Sequence, residues 1–246
     1  MAKSLWIAIV AVAVVGGLWW GLGSGNNQNP SPSGSATPTA IPTAGAQGRV
    51  IFQITDPGSA SIQGATAINM TVDKVEVHSA AQGWVTVSTV ARKYDLLQLK
   101  SSGTAMLLAD ANVPAGTYDQ IRLDISKVQV TANGKVSDAK LPSNTLKIVG
   151  NLTVSANQTS TASLDFMADK SLHVTSNGTF ILTPVVRLET KDNASVNISS
   201  IGKVTITAGD TETDETVGTD VDGSTKVNFE LNGNLDVDSY GAIHLK

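Results

Sequence analysis

Asp165, Asp169 and His173 in "DFMADKSLHV" (165–174) come nearest, by type and spacing, to a chemical site. Two carboxylates and an imidazole serve acid–base work or hold a metal ion, provided they converge. Asp169 and His173 are four apart and share a face only on a helix. The segment reads instead as a short irregular connection, with Asp169 capping backbone amides and Lys170 in solvent. In "TDVDGST" (219–225), Asp220, Asp222 and Gly223 echo the first half of a calcium loop, which makes Asp220 and Asp222 the candidate metal ligands. The twelve-residue pattern then breaks and no glutamate closes it, so the stretch reads first as a mobile acidic loop. Calcium is the one cofactor left open. The histidines, His78, His173 and His244, have no serine or carboxylate partner at motif spacing, and GxSxG, HExxH and phosphate-cradling glycine loops are missing from the sequence. No catalytic residue is assigned, and an enzyme is not expected.

"VPAGTYDQIRLDI" (113–125) raises the same question on a strand. Ile121, Leu123 and Ile125 share one phase, so Arg122 and Asp124 fall on the other, as a half-buried antiparallel strand requires. Tyr118, just inside the strand after Gly116, suits a tyrosine corner, with its ring in the core and its hydroxyl tied to backbone. The polar set is therefore the wet side of a sheet.

The elements around these residues alternate at period two. "RVIFQIT" (49–55), "INMTVDKVEVH" (68–78), "WVTVSTV" (84–90), "NTLKIV" (144–149), "TSTASLDF" (159–166) and "TFILTPVVRLE" (179–189) read as strands, with Pro184 at an edge or bulge. The apolar phase slips at Asp73-Lys74 and again at Ser126-Lys127, which predicts bulges in two long strands bent at a sandwich corner. Asn133-Gly134, Asn177-Gly178 and Asn232-Gly233 mark tight hairpins. A short helix is expected over 101–110. The fold class is all-β, an antiparallel sandwich.

Composition agrees: 41% of residues are hydrophobic, enough for a core, and 15% are charged. Without cysteine there is no disulfide, thiolate site or lipid-anchoring thiol. Net charge is −4; six acids lie between Asp210 and Asp222, leaving 15 acids against 17 bases elsewhere. No basic stripe offers a footprint for nucleic acid.

Between Lys3 and Arg49 no residue is charged. Residues 5–22, "LWIAIVAVAVVGGLWWGL", would span about 27 Å as a helix, against roughly 30 Å of hydrocarbon. With Lys3 ahead of them they predict a signal anchor, N-terminus cytoplasmic and the rest outside. Gly21-Leu22-Gly23 before Ser24 keeps a cleaved signal peptide, and hence secretion, as the alternative. Residues 24–48, rich in Pro, Ser, Thr and Gly, form a disordered linker. Residues 49–190 then make the sandwich, and 191–246 a β-rich extension with the acidic loop and a hairpin over 226–239. Six sequons occur; Asn151, Asn157, Asn177, Asn193 and Asn197 are glycosylation candidates, whereas Asn69 lies mid-strand.

"GWVTVS", "YDLLQL", "VPAGTYDQIRLDIS" and "SLDFMADKSLHVTSNGTFILTPVVRLE" together resemble the domain of unknown function 4382 family of bacterial and archaeal exported proteins and lipoproteins, from Gly48 to Glu189. The resemblance implies one β-sandwich in the style of prealbumin-like and immunoglobulin-like surface modules, and it implies no activity. The chain departs from that pattern in lacking the lipoprotein cysteine and in carrying Met167 where an acid is frequent. The expectation is a membrane-tethered surface module that binds, adheres or scaffolds an envelope partner without catalysis. A calcium- or carbohydrate-binding domain, or a hydrolase of unrecognised type, are the alternatives.

Overall fold

The computed structural model describes residues 45–56, 62 and 64–246. In chain order the elements are β1 (Gln47–Thr55), β2 (Ala65–Ser79), β3 (Gly83–Ser88), β4 (Arg92–Asp95), α1 (Leu96–Ser102), β5 (Met106–Pro114), β6 (Gly116–Ala132), β7 (Lys135–Asp138), β8 (Thr145–Val154), β9 (Thr159–Phe166), α2 (Ala168–Ser171), β10 (Leu172–Val174), β11 (Phe180–Leu182), β12 (Val185–Ile198), β13 (Val204–Thr219), β14 (Thr225–Val227), β15 (Leu235–Val237) and β16 (Ile243–Leu245). The protein is all-β apart from two short helices among the described residues. No helix in that region is long and apolar enough to cross a membrane. The expected anchor over 5–22, and the linker as far as residue 44, lie outside the described residues.

The alternation of β2 and β6 explains the first sheet. Ile68, Met70 and Val72 are buried on one phase of β2, Val75 and Val77 on the other. The facing strand does the same, with Ile121, Leu123 and Ile125 before the slip and Val128 and Val130 after it. Register shifts around Val72, which pairs with Ile125, leave Asp73 and Ser126 as the extra residues. The two expected bulges therefore flank a single cross-strand pair, and the long strands bend together there while keeping both halves of their apolar faces inward. Shorter strands line each outer edge: β3 and β4 along β2, β7 and β8 along β6.

The second sheet runs β14-β13-β12-β9-β1-β5. Val50, Phe52 and Ile54 of β1, Leu164 of β9 and Leu188 of β12 are fully buried in the same core as Ile121 and Leu123, so the two sheets close on one another. Ladders are antiparallel except that β1 runs parallel to β9, from Arg49 opposite Thr159 to Thr55 opposite Asp165.

Several local expectations are corrected. The helix occupies Leu96–Ser102 rather than 101–110, because Asp95 Oδ1 accepts from the amides of Leu97 and Gln98 at its start and Gly103, at φ 57°, ends it; Met106–Pro114 is strand. Pro184 falls between β11 and β12, where the chain passes from one sheet to another. The stretch expected as an acidic loop is strand as far as Thr219, in β13. No 226–239 hairpin forms across Asn232-Gly233: β14 pairs with β13 and β15 with β16. Residue 190, the expected boundary, lies inside β12, and β13 pairs with that strand from Gly218 back to Val204.

β12 and β13 outrun their neighbour. Pairing of β12 with β9 stops at Lys191 opposite Thr161, while the β12–β13 ladder continues to Ile198 opposite Val204. Beyond that ladder, the Leu107 amide donates to Gly202 O at 2.8 Å and the Val204 amide to Ala105 O at 2.9 Å. The hairpin tip thus reaches β5, the far edge of the same sheet. The inner face is filled by core, so the arm crosses the outer face, where Ile51 and Thr161 are 0% exposed. Three register shifts between Thr190 and Val196, Asn193 at φ 48° and Gly209 at φ 143° supply the bend. Asp192 fastens it, accepting from Ser155 Oγ at 2.9 Å and Ser160 Oγ at 3.2 Å.

Candidate functional site

Among the described residues the outer face of the other sheet has no such cover. Val87 of β3 is buried, so Trp84 and Thr86 face outward on this edge strand. Register aligns two cross-strand rows: Trp84, His78, Gln120 and Val149, and next to it Thr86, Glu76, Arg122 and Lys147. A register shift between Tyr118 and Gln120 then turns both Asp119 and Gln120 outward, side by side. Four strands therefore present one patch.

Apart from Lys147, which has no ion pair among the described residues, its charges are held by one another. The Arg122 guanidinium carbon sits 3.7 Å from the centroid of the Trp84 ring, and Arg122 Nη1 lies 3.7 Å from Glu76 Oε2. Glu76 is 7% exposed; Lys74 Nζ at 2.7 Å and Thr86 Oγ1 at 3.3 Å complete its contacts, as a buried carboxylate requires. His78 Nδ1 lies 2.7 Å from Asp119 Oδ1, and since a carboxylate only accepts, Nδ1 is the donor. The imidazole is 5.0 Å from the indole, tilted by 55°. A shallow hollow of about 330 Å³ opens between His78, Trp84, Asp119, Gln120 and Val149. Trp84 and Val149 are 36% and 43% exposed, so apolar surface alternates with polar edges.

A larger hollow, about 560 Å³, lies beneath the arm tip between Tyr94, Gln98, Met106 and Ile201. Its polar groups serve the fold: Tyr94 Oη donates to Leu107 O at 2.7 Å, Asp95 caps α1, and Ser102 Oγ donates to Gln98 O. Desolvation pushes the Tyr94 hydroxyl up to about 12, and it stays protonated in that bond.

The other sequence-derived candidates lie apart. Asp165, on β9, has its pKa raised to about 6, chiefly by burial. Asp169 sits in α2 and makes no cap there; one of its carboxylate oxygens is buried without a partner among the described residues. His173 Nε2 is 2.8 Å from Thr183 Oγ1, and burial lowers its pKa. No hydrogen bond or ion pair among the described residues joins the three. Lys170, expected in solvent, reaches Glu230 at 3.0 Å. Asp220 accepts from Lys226 Nζ at 2.6 Å and the Val221 amide at 2.7 Å, while Asp222 accepts from the Ser224 amide at 2.8 Å. These bonds make a tight turn of 220–224. Among the described residues no group of three or more acids and histidines is gathered for a metal. Asn151, Asn157, Asn177, Asn193 and Asn197 are exposed, and Asn69 is half-buried.

Asp165 carries a pH prediction. Its folded-state pKa exceeds the ordinary 3.8, so between about pH 4 and 6 the folded state holds the extra proton and stability falls as pH rises. His173, held below its ordinary 6.5, acts in the opposite sense as pH drops. Asp165→Asn isolates the carboxyl: at pH 7 it melts higher than the parent, and the gap closes towards pH 4. A parallel pair of melting profiles across that range would remove this account.

Arg122 and Asp124 do lie off the core face, but Arg122 is stacked rather than simply solvated, and Asp124 accepts from Thr145 Oγ1 at 3.1 Å. The Trp84 patch was missed. Its one local signal was the phase of "GWVTVS", which turns a tryptophan outward.

The sequence profile of the family described as Domain of unknown function (DUF4382) matches residues 47–184, more than half of the 246-residue chain. The chain belongs to this family. The resemblance expected from Gly48 onward is thereby established, and every residue of the Trp84 patch falls within the matched span. No curated protein and no solved structure matches the chain. All of β12 and β13 lies past the DUF4382 match, so the arm over the outer face is built from sequence outside it.

Proposed function

We propose that this chain is a non-catalytic binding module displayed outside the cell: a β-sandwich of immunoglobulin-like or prealbumin-like style, anchored through residues 5–22 and held off the membrane by the linker. The observation that supports it best is the contrast between the two outer faces. One is covered by the protein's own hairpin, while the other carries Trp84, 36% exposed, in a frame of paired charges on four strands. Exposed aromatics on rigid strands favour recognition by surface complementarity. The balanced charge of the body favours a partner other than nucleic acid. External protease added to intact cells tests the topology: cleavage in the linker releases the body from Gly45 onward while a cytosolic marker stays whole. Protection of the chain until lysis overturns the placement outside the cell.

A further inference from the structure

We infer that the Trp84 patch is a sugar-binding site that stacks one pyranose ring of a neutral glycan on the indole. This rests on the reading of the domain as a binding module and names its ligand class.

Charge narrows the ligand first. Glu76 is matched by Lys74 and Arg122, the Asp119 carboxylate is held by His78, and Lys147, which has no ion pair among the described residues, stands outside the hollow, so an ionic ligand gains little there to replace the water it would lose. Polarity narrows it further. Among the described residues the Gln120 carboxamide, Asp119 Oδ2 and His78 Nε2 make no hydrogen bond, and all three groups border the hollow beside the ring. A wholly apolar ligand would bury them unsatisfied. What remains is a neutral molecule with one apolar face and hydroxyls around its rim, which describes a pyranose. Its C–H face lies on the indole, and its rim hydroxyls donate to Asp119 and His78 and exchange bonds with Gln120. The Arg122 guanidinium over the ring and the tilted His78 fix the indole plane beforehand, so little side-chain freedom is lost on binding. An open hollow of about 330 Å³, on a strand at the sheet's edge, suits one unit of a longer chain passing across the surface.

The test uses the full chain in a detergent without a sugar headgroup. The probes are neutral hexasaccharides of glucose, mannose, galactose and N-acetylglucosamine, with galacturonate hexamer as the charged comparison, read by titration calorimetry. At least one neutral hexamer binds, Trp84→Ala weakens it by about tenfold or more, and Gln120→Ala weakens it severalfold with an unchanged melting curve. Trp84→Phe, which keeps a ring, recovers part of the affinity and separates loss of stacking from misfolding. Silence from every neutral hexamer, retention of galacturonate alone, or binding indifferent to Trp84→Ala each overturns the proposal. The two readings fail separately. A chain cleaved outside cells but deaf to all sugars keeps its surface placement and loses the glycan, whereas a chain protected until lysis that still binds a hexamer does the reverse.

Discussion

Tyr118→Ala lowers the unfolding midpoint by about 10 °C. The ring is 0% exposed and among the largest side chains in the core, and its hydroxyl donates to Pro114 O at 2.7 Å. Removing a buried aromatic ring costs roughly 3–5 kcal/mol, and in a domain of this size each kcal/mol moves the midpoint by about 2–4 °C. Tyr118→Phe keeps the ring and leaves the carbonyl of Pro114 without its donor, so it costs about 1 kcal/mol. The ordering matters as much as the size. Tyr118 closes the corner between β5 and β6, and Gly116 beside it sits at φ 156°. If phenylalanine proves as damaging as alanine, the hydroxyl rather than the ring holds the corner; if it proves harmless, the tyrosine corner has no energetic content. Thermal melts of the two variants decide.

Gly218→Val releases the C-terminal segment. Gly218 pairs with Val185 on one side and Lys226 on the other, and a β-carbon built there would stand 2.0 Å from Phe229 O. That obstacle is backbone and cannot rotate away, so the chain after β14 must lift, at a cost of about 3 kcal/mol. Leu231 and Leu235 then leave their contact with Ile181, and the Lys170–Glu230 ion pair is lost. Limited proteolysis followed by mass spectrometry should find early cuts between Thr225 and Lys246 in the variant and none there in the parent. An unchanged digest would mean that the segment tolerates displacement without detaching.

Particular residues show what could be read before the fold was seen. The slips at Asp73 and Ser126 were legible because a strand has period two and an apolar residue on the wrong phase must be accommodated by an extra one. Tyr118 was legible because its partner is four residues away. The parallel pairing of β1 with β9 was not, since nothing local in either strand names its neighbour. The second half of β13, from Asp210, reads as loop because its acids suggest solvent. Arg187 answers them across the ladder, its Nε and Nη2 each 2.6 Å from an Asp214 oxygen, and that pairing lowers the Asp214 pKa. Asn232-Gly233 signalled a turn, yet Asp238 closes a competing one by accepting from the amides of Tyr240 and Ala242, and β16 becomes the partner of β15. The Trp84 patch depended on the registers of β3, β6 and β8 at once. Those are set by the whole core.

The position of β1 decides how the domain meets a pull. Any tension arriving along the chain ahead of Gly45 enters the fold at Gln47, and β1 is gripped along its length by β5 on one side and β9 on the other. Drawing it out lengthwise strains both rows of bonds together instead of peeling them one after another. A protein hauled from this end is loaded in shear, the direction in which a ladder of weak bonds yields last.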